Sequence, residues 1–237
     1  MKILGFDVES TGLDPKKDSI TEMGLVLYDT DLKTPVRISG FLVKGGFISE
    51  EITRITGITQ AAVDTYGVTP FAAIGALDKM AESANYFCAH NAPFDREFGK
   101  ALFATQGRGF PDVPWIDTRT DLPPEAYKLG KSASLKYLCA DHGFLYSAHR
   151  AVNDVLAMLE LLSRYDLDTI LRRAATPNVE VRAVVSFDDR ILAKERSYYW
   201  SAQIKQWRKP LKADEVEREK TDAPFPVVLC EEGRRCL

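Results

Sequence analysis

The stretch Ile3-Leu4-Gly5-Phe6-Asp7-Val8-Glu9-Ser10-Thr11-Gly12-Leu13 opens the chain with an apolar run that carries two acids and closes on Thr-Gly. A short apolar run ended by a glycine reads as a buried strand passing into a turn. Side chains two residues apart on a strand share a face, so the carboxylates of Asp7 and Glu9 converge on one spot. Two carboxylates that close repel each other unless a cation lies between them. Hard oxygen donors with no cysteine nearby suit Mg²⁺ or Mn²⁺ rather than zinc. Taken alone, the segment reads equally well as a strand end whose acids face water.

Two later segments carry further acids. Ala89-His90-Asn91-Ala92-Pro93-Phe94-Asp95 follows the apolar stretch Asn85-Tyr86-Phe87-Cys88, which predicts a short strand feeding a helix with Pro93 in its first turn. Asp95 then lies in that first turn, where the helix dipole favours a carboxylate even without a metal. His149-Arg150-Ala151-Val152-Asn153-Asp154 runs on into the amphipathic stretch Val155 to Leu162. Asp154 is expected to open this helix, with His149 about one turn earlier.

In this order the three segments resemble the DEDDh 3′-to-5′ exonucleases, a group that includes the epsilon subunit of bacterial DNA polymerase III, ribonuclease T, oligoribonuclease and the animal Trex nucleases. Asp7 and Glu9 match the first motif, Asp95 the second, Asp154 the third, and His149 the histidine that names the subgroup. The sister subgroup has a tyrosine four residues before the last aspartate, where this chain has Arg150. Further stretches fit: Thr21 to Tyr28 as the second strand, Ile52 to Thr59 as the segment before the first helix, Trp115 to Thr118, and Ser134 to Leu138. The resemblance covers roughly residues 1 to 170, with one small departure at Ser10, where many members have threonine.

The resemblance implies an α/β, ribonuclease H-like fold: a mixed five-stranded sheet, three antiparallel strands first and parallel additions after, flanked by helices. It also implies two Mg²⁺ (or Mn²⁺) ions held by Asp7, bridging both, with Glu9, Asp95 and Asp154. Such a pair can hold the scissile phosphate and activate water, while His149 takes the water's proton as general base. The products would be nucleoside 5′-monophosphates cut from a nucleic-acid 3′ end, single-stranded DNA being favoured. Ser10, Thr11, Gly12 and Leu13 are expected to hold the terminal nucleotide. Asn91 and Phe94 are candidates for contacts near the scissile nucleotide, although Phe94 is equally a helix-core residue, and His90 is a second candidate histidine. An RNA 3′ exonuclease and a proofreading subunit of a DNA polymerase are the alternatives. A non-catalytic nucleic-acid-binding module ranks below them, because costly buried acids would have no reason to surround an empty site. A polymerase partner and a homodimer are both open, as is freestanding DNA repair.

Composition agrees with an enzyme of this kind. At 237 residues and 45% hydrophobic, the chain can bury a sizeable core with room for one domain and a small appendage. No apolar stretch approaches bilayer length and no signal-peptide pattern precedes Asp7, so a cytoplasmic location is expected. Cys88, Cys139, Cys230 and Cys236 have no CxxC spacing and read as free thiols of a reducing compartment. The net charge of −3 argues against a strongly basic nucleic-acid binder, but a strand-end grip needs few phosphate contacts.

The pattern changes near Ala174 to Asn178, where Pro177 breaks a helical run. We divide the chain there into an exonuclease domain, residues 1–174, and a small α+β C-terminal domain, residues 175–237, a candidate for nucleic-acid or partner binding. The expected order is strand Val179 to Phe187, helix Asp188 to Arg196, strand Lys205 to Lys209, helix Ala213 to Lys220 and strand Phe225 to Leu229. Tyr198, Tyr199, Trp200 and Trp207 are interleaved there with Arg196, Lys205, Arg208 and Lys209. That mixture suits single-strand binding, though a domain this small also needs large aromatics for its core.

Overall fold

The computed structural model describes residues 1–127 and 134–230. Strand β1 (Lys2–Ser10) pairs antiparallel with β2 (Ile20–Asp29), and β2 pairs antiparallel with β3 (Thr34–Leu42). Three short helices follow: α1 (Glu50–Thr56), α2 (Gln60–Tyr66) and α3 (Pro70–Ala81), opened by the hydroxyl N-caps Ser49, Thr59 and Thr69. Ile52 to Thr59, expected to precede the first helix, therefore contains most of it. Ser49 starts α1 by accepting from the Ile52 amide, and Gly57 ends it at φ 72°.

Strand β4 (Tyr86–Ala89), helix α4 (Ala92–Ala104) and strand β5 (Trp115–Asp117) extend the sheet in parallel beyond β1. Helices α5 (Leu135–Asp141), α6 (Ala151–Ser163) and α7 (Leu167–Ala175) come next. The sheet order is β3-β2-β1-β4-β5, the expected mixed five-stranded, ribonuclease H-like arrangement.

Alternation along β1 assigns its two faces. Leu4, Phe6 and Val8 bury with Met23, Leu25 and Leu27 of β2 against α3 and α4, where Phe98 and Phe103 are fully enclosed. The opposite face carries Gly5, Asp7 and Glu9, beside Val26, Gly24 and Glu22 of β2. Helix α6 lies on this face, and glycines let it come close. A Cβ on Gly24 would sit 2.4 Å from the Ala151 carbonyl carbon, one on Gly40 2.2 Å from a Val152 methyl, and one on Gly5 2.4 Å from a Val155 methyl. Gly24 is the register partner of both Asp7 and Gly40, so the first turn of α6 lies over the strands beside the first acid.

Helix α6 begins at Ala151, not at Asp154 as expected. The start is set by Glu22, whose carboxylate accepts from the Ala151 amide at 2.9 Å. A cap supplied from a strand far away in sequence leaves no local signal.

The chain divides into two compact units, residues 1–171 and 172–237. The second contains its own antiparallel sheet, β6 (Asn178–Ala183), β7 (Tyr199–Ser201), β8 (Gln206–Lys212) and β9 (Val227–Leu229), in the order β7-β8-β6-β9. Helices α8 (Arg190–Glu195) and α9 (Val216–Asp222) accompany it. Strand β7 was not anticipated, and β6 ends at Ala183 instead of reaching Phe187. The small core gathers Val181, Ala193, Tyr198, Val216 and Phe225. Among the described residues no helix is long and apolar enough to cross a membrane. Cys88 and Cys139 are free thiols; Cys236 lies outside the described residues.

Candidate active site

Strand alternation and the seating of α6 bring Asp7, Glu9 and Asp154 together: each offers a carboxylate oxygen, and these oxygens all lie within 4.8 Å of one another. Asp95 approaches from the first turn of α4. It is buried, and its Oδ1 accepts from the Val8 amide, between Asp7 and Glu9, at 3.1 Å.

The electrostatics of this cluster are unfavourable without a counter-charge. Burial raises the Asp7 carboxyl well above its ordinary range, and Asp95, Asp154, Glu9 and Glu22 raise it further. Glu9 is pushed up to about 7, by burial first and then by Asp154 and Glu22, against the opposing pull of Arg150. Burial also raises Asp95 and Asp154, with backbone hydrogen bonds opposing. Oxygen donors alone, clustered and mutually repelling, are the donor set of a hard divalent cation.

Asp154 is held at both oxygens. Tyr146 donates its hydroxyl to Oδ1 at 2.8 Å, and the Arg150 amide donates to Oδ2 at 3.0 Å. His149 is exposed and stands in the left-handed region at φ 66°, an uncommon conformation for a residue with a side chain. The turn around it is closed by Asn153, whose side-chain amide donates to the Ser147 carbonyl at 3.1 Å. Arg150 reaches Glu22 through Nε at 3.1 and 3.2 Å and through Nη2 at 2.8 Å. Glu22 thus holds both the backbone and the side chain at the start of α6.

Tyr146 and Glu22 were not singled out from the sequence. Glu22 had a signal, a charged residue inside the apolar run of the second strand; Tyr146 had none.

The expected substrate residues are spread over two places. After β1 the turn is braced from within: Ser10 Oγ donates to the Gly12 carbonyl at 2.6 Å, and the Thr11 amide donates to the Ser19 carbonyl at 2.9 Å. A Cβ on Gly12 would meet the Asp18 carboxylate at 2.5 Å, so a larger residue here would displace that carboxylate from the turn. Leu13 stands out from it, 84% exposed. At the head of α4, Asn91 adopts φ 83° and its side-chain oxygen accepts from Arg119 at 3.1 Å. The helix is capped by Asp117, which accepts from the Asn91 amide at 2.9 Å and the Ala92 amide at 3.1 Å. Phe94 packs partly into the core, its ring 4.8 Å from that of Phe98. His90 is tied to Thr118 at 3.0 Å.

A family model described as Exonuclease matches residues 4–162. The chain belongs to the exonuclease family. The exonuclease resemblance read from its three motifs is thereby borne out.

Among curated proteins, this exonuclease is 31% identical over 160 residues to a PolC-type DNA polymerase III of Clostridium perfringens; the alignment covers 66% of this chain and 11% of that protein. The chain thus spans about a tenth of the length of the curated relatives it matches. Among solved structures, the nuclease domain of 3′hExo, a DEDDh family member bound to rAMP, has a TM-score of 0.58 at 19% identity, covering 69% of this chain and 90% of that one. Exonuclease I of E. coli in complex with a dA16 oligonucleotide has a TM-score of 0.62 at 17% identity, covering 77% of this chain and 48% of that one.

Proposed function

We propose that this exonuclease hydrolyses nucleic acid from the 3′ end and releases 5′-mononucleotides, with single-stranded DNA as the favoured substrate. The convergence of Asp7, Glu9 and Asp154 oxygens within 4.8 Å is the observation that carries the reading. Asp7, Glu9, Asp95 and Asp154 would hold two divalent cations, Mg²⁺ or Mn²⁺, which when bound supply neutralisation of the scissile phosphate and a lowered pKa for water. Asp7 and Glu9 converge from alternate positions of one strand, while Tyr146 and the Arg150 amide fix the orientation of Asp154. His149, on its exposed turn, accepts the water's proton on an unprotonated ring nitrogen. The turn from Ser10 to Gly12, with the exposed Leu13, receives the terminal nucleotide. Asn91 and the open side of Phe94 flank it.

Deciding between substrates takes one digestion series with 5′-labelled single-stranded DNA, duplex DNA and RNA, each in Mg²⁺ and in chelator. A ladder shortening from the 3′ end of single-stranded DNA, abolished by chelator, is expected. Undiminished cleavage in chelator, or internal nicks, sinks the proposal. His149→Ala should lower turnover by about a hundredfold or more, the size of a general-base contribution, with divalent-ion and DNA binding retained. Wild-type turnover in this variant removes the histidine from the mechanism.

Metal dependence should also be visible in stability. The folded-state pKa of Glu9, about 7, lies above the ordinary 4.5, so the folded protein keeps a proton that the unfolded chain has lost. The stability this represents is present below the unfolded value and disappears as pH rises through the folded one. In chelator, the melting temperature should therefore fall between about pH 4.5 and about pH 7. Added Mg²⁺ should raise it more at pH 8 than at pH 5. A melting temperature equally responsive to Mg²⁺ at both pH values contradicts cation binding by these acids.

A second reading is favoured by the PolC-type relatives, which are DNA polymerases: the chain would proofread beside a polymerase. Co-purification with a replicative polymerase would support it.

A further inference from the structure

The second compact unit carries a groove of about 700 Å³ between the turn after β6, helix α8 and the β7–β8 hairpin. Four cations line it, Arg182, Arg190, Lys194 and Lys205, and no aspartate or glutamate does. Its apolar surface includes Trp200 and Trp207, whose ring centroids are 5.6 Å apart at a 58° tilt. Trp200 is 49% exposed, and Phe187 at the same groove is 76% exposed with the Arg190 guanidinium 3.9 Å from its ring centre.

How the unit treats its other charges sets these four cations apart. Arg173 and Arg196 pair with Glu215 and Glu219, Arg208 with Glu180, Lys209 with Glu219, Arg218 with Asp222 and Lys220 with Glu217. None of the four groove cations pairs with an acid among the described residues, and the buried Nε of Arg182 has no hydrogen-bond partner. Five of the eight aromatic and basic residues that the sequence suggested for strand binding are otherwise engaged. Tyr198 is core, edge-on to Phe225, and Arg196, Arg208 and Lys209 are in ion pairs. Tyr199 bonds Glu180 through its hydroxyl.

We propose that this groove binds single-stranded nucleic acid, with phosphates on Arg182, Arg190, Lys194 and Lys205 and bases stacked on Trp200 and Phe187. Unpaired cations with no acid among them complement a polyanion, and exposed rings take the flat faces of bases. Duplex hides those faces inside its own stack, so the rings select unpaired strands. An acidic peptide would satisfy the cations and leave the rings without planar partners. Because the groove residues include none of the acids or the histidine assigned above, binding here stands apart from the nuclease reading.

The test is fluorescence anisotropy of the full chain in chelator, where no cleavage occurs, with labelled single-stranded dT20, its duplex and a glutamate-rich peptide. Trp200→Ala should weaken dT20 binding by about tenfold, the effect of losing one stacked base. Arg190→Gln with Lys205→Gln should reduce the slope of log Kd against log salt by about 1.4, at about 0.7 for each single-strand phosphate contact. Both substitutions are at the groove surface, and unchanged melting curves and dinucleotide cleavage in Mg²⁺ would confirm intact folding and an intact acid cluster. Unaltered dT20 affinity and salt slope in both variants overturn the proposal. So does tighter binding of the duplex or of the peptide than of dT20.

Discussion

Asp7→Asn should cost about 10⁴-fold or more in turnover, on the order of 5 kcal/mol of transition-state stabilisation, while making the chelated protein more stable above neutral pH. Both effects have one origin. Asp7 is half-buried among Asp95, Asp154, Glu9 and Glu22, and its charge is unfavourable there unless a cation is bound. Asparagine keeps the shape and removes the charge, which relieves repulsion in the metal-free protein and removes the carboxylate proposed to hold divalent ions. The melting temperature in chelator at pH 8 should rise by a few degrees, since about 1 kcal/mol moves it about 2–4 °C for a chain of this size. The Mg²⁺-induced rise should shrink. Retention of a tenth of wild-type turnover, or an unaltered Mg²⁺ response, would show that Asp7 is not the central ligand.

Gly24→Ala should lower both stability and turnover without touching any titratable group. The added methyl would stand 2.4 Å from the carbonyl carbon of Ala151 and 2.6 Å from the Val152 nitrogen. Backbone cannot rotate away as a side chain can, so α6 must lift off the sheet. Overpacking of this kind costs about 1–3 kcal/mol. The lift also moves Asp154 and His149 away from Asp7 and Glu9, and about 1 Å of misplacement can cost about a hundredfold in rate. We expect a lower melting temperature together with a fall in kcat, and rescue of neither by excess Mg²⁺. Gly75→Ala on α3, where the added methyl meets nothing within 4 Å, is the control and should retain full activity. If Gly24→Ala melts and cleaves like wild type, the close seating of α6 does not position the site.

Much of the site was legible in the chain because its signals are local. The two-residue spacing of Asp7 and Glu9 states their shared face. Proline at the start of α4 places Asp95 in a first turn, and the five-residue step from His149 to Asp154 spans one helix entry. The strand order followed from the motif order and the resemblance. The supports were not legible. Glu22 starts α6 across more than a hundred residues of sequence, Tyr146 reaches Asp154 from a loop, and Asp117 caps α4 in place of the Asn91 side chain. In the C-terminal unit the local pattern announced aromatic and basic residues, but their division between core, ion pairs and groove depended on which strand paired with which.

By itself the sequence determined the acids, their elements and the family, since periodicity and motif spacing are properties of neighbouring residues. Only the tertiary structure decided how the acids meet. Glycine-permitted contact between α6 and two strands, and a carboxylate cap from the far side of the chain, depend on close packing between residues that the sequence keeps far apart.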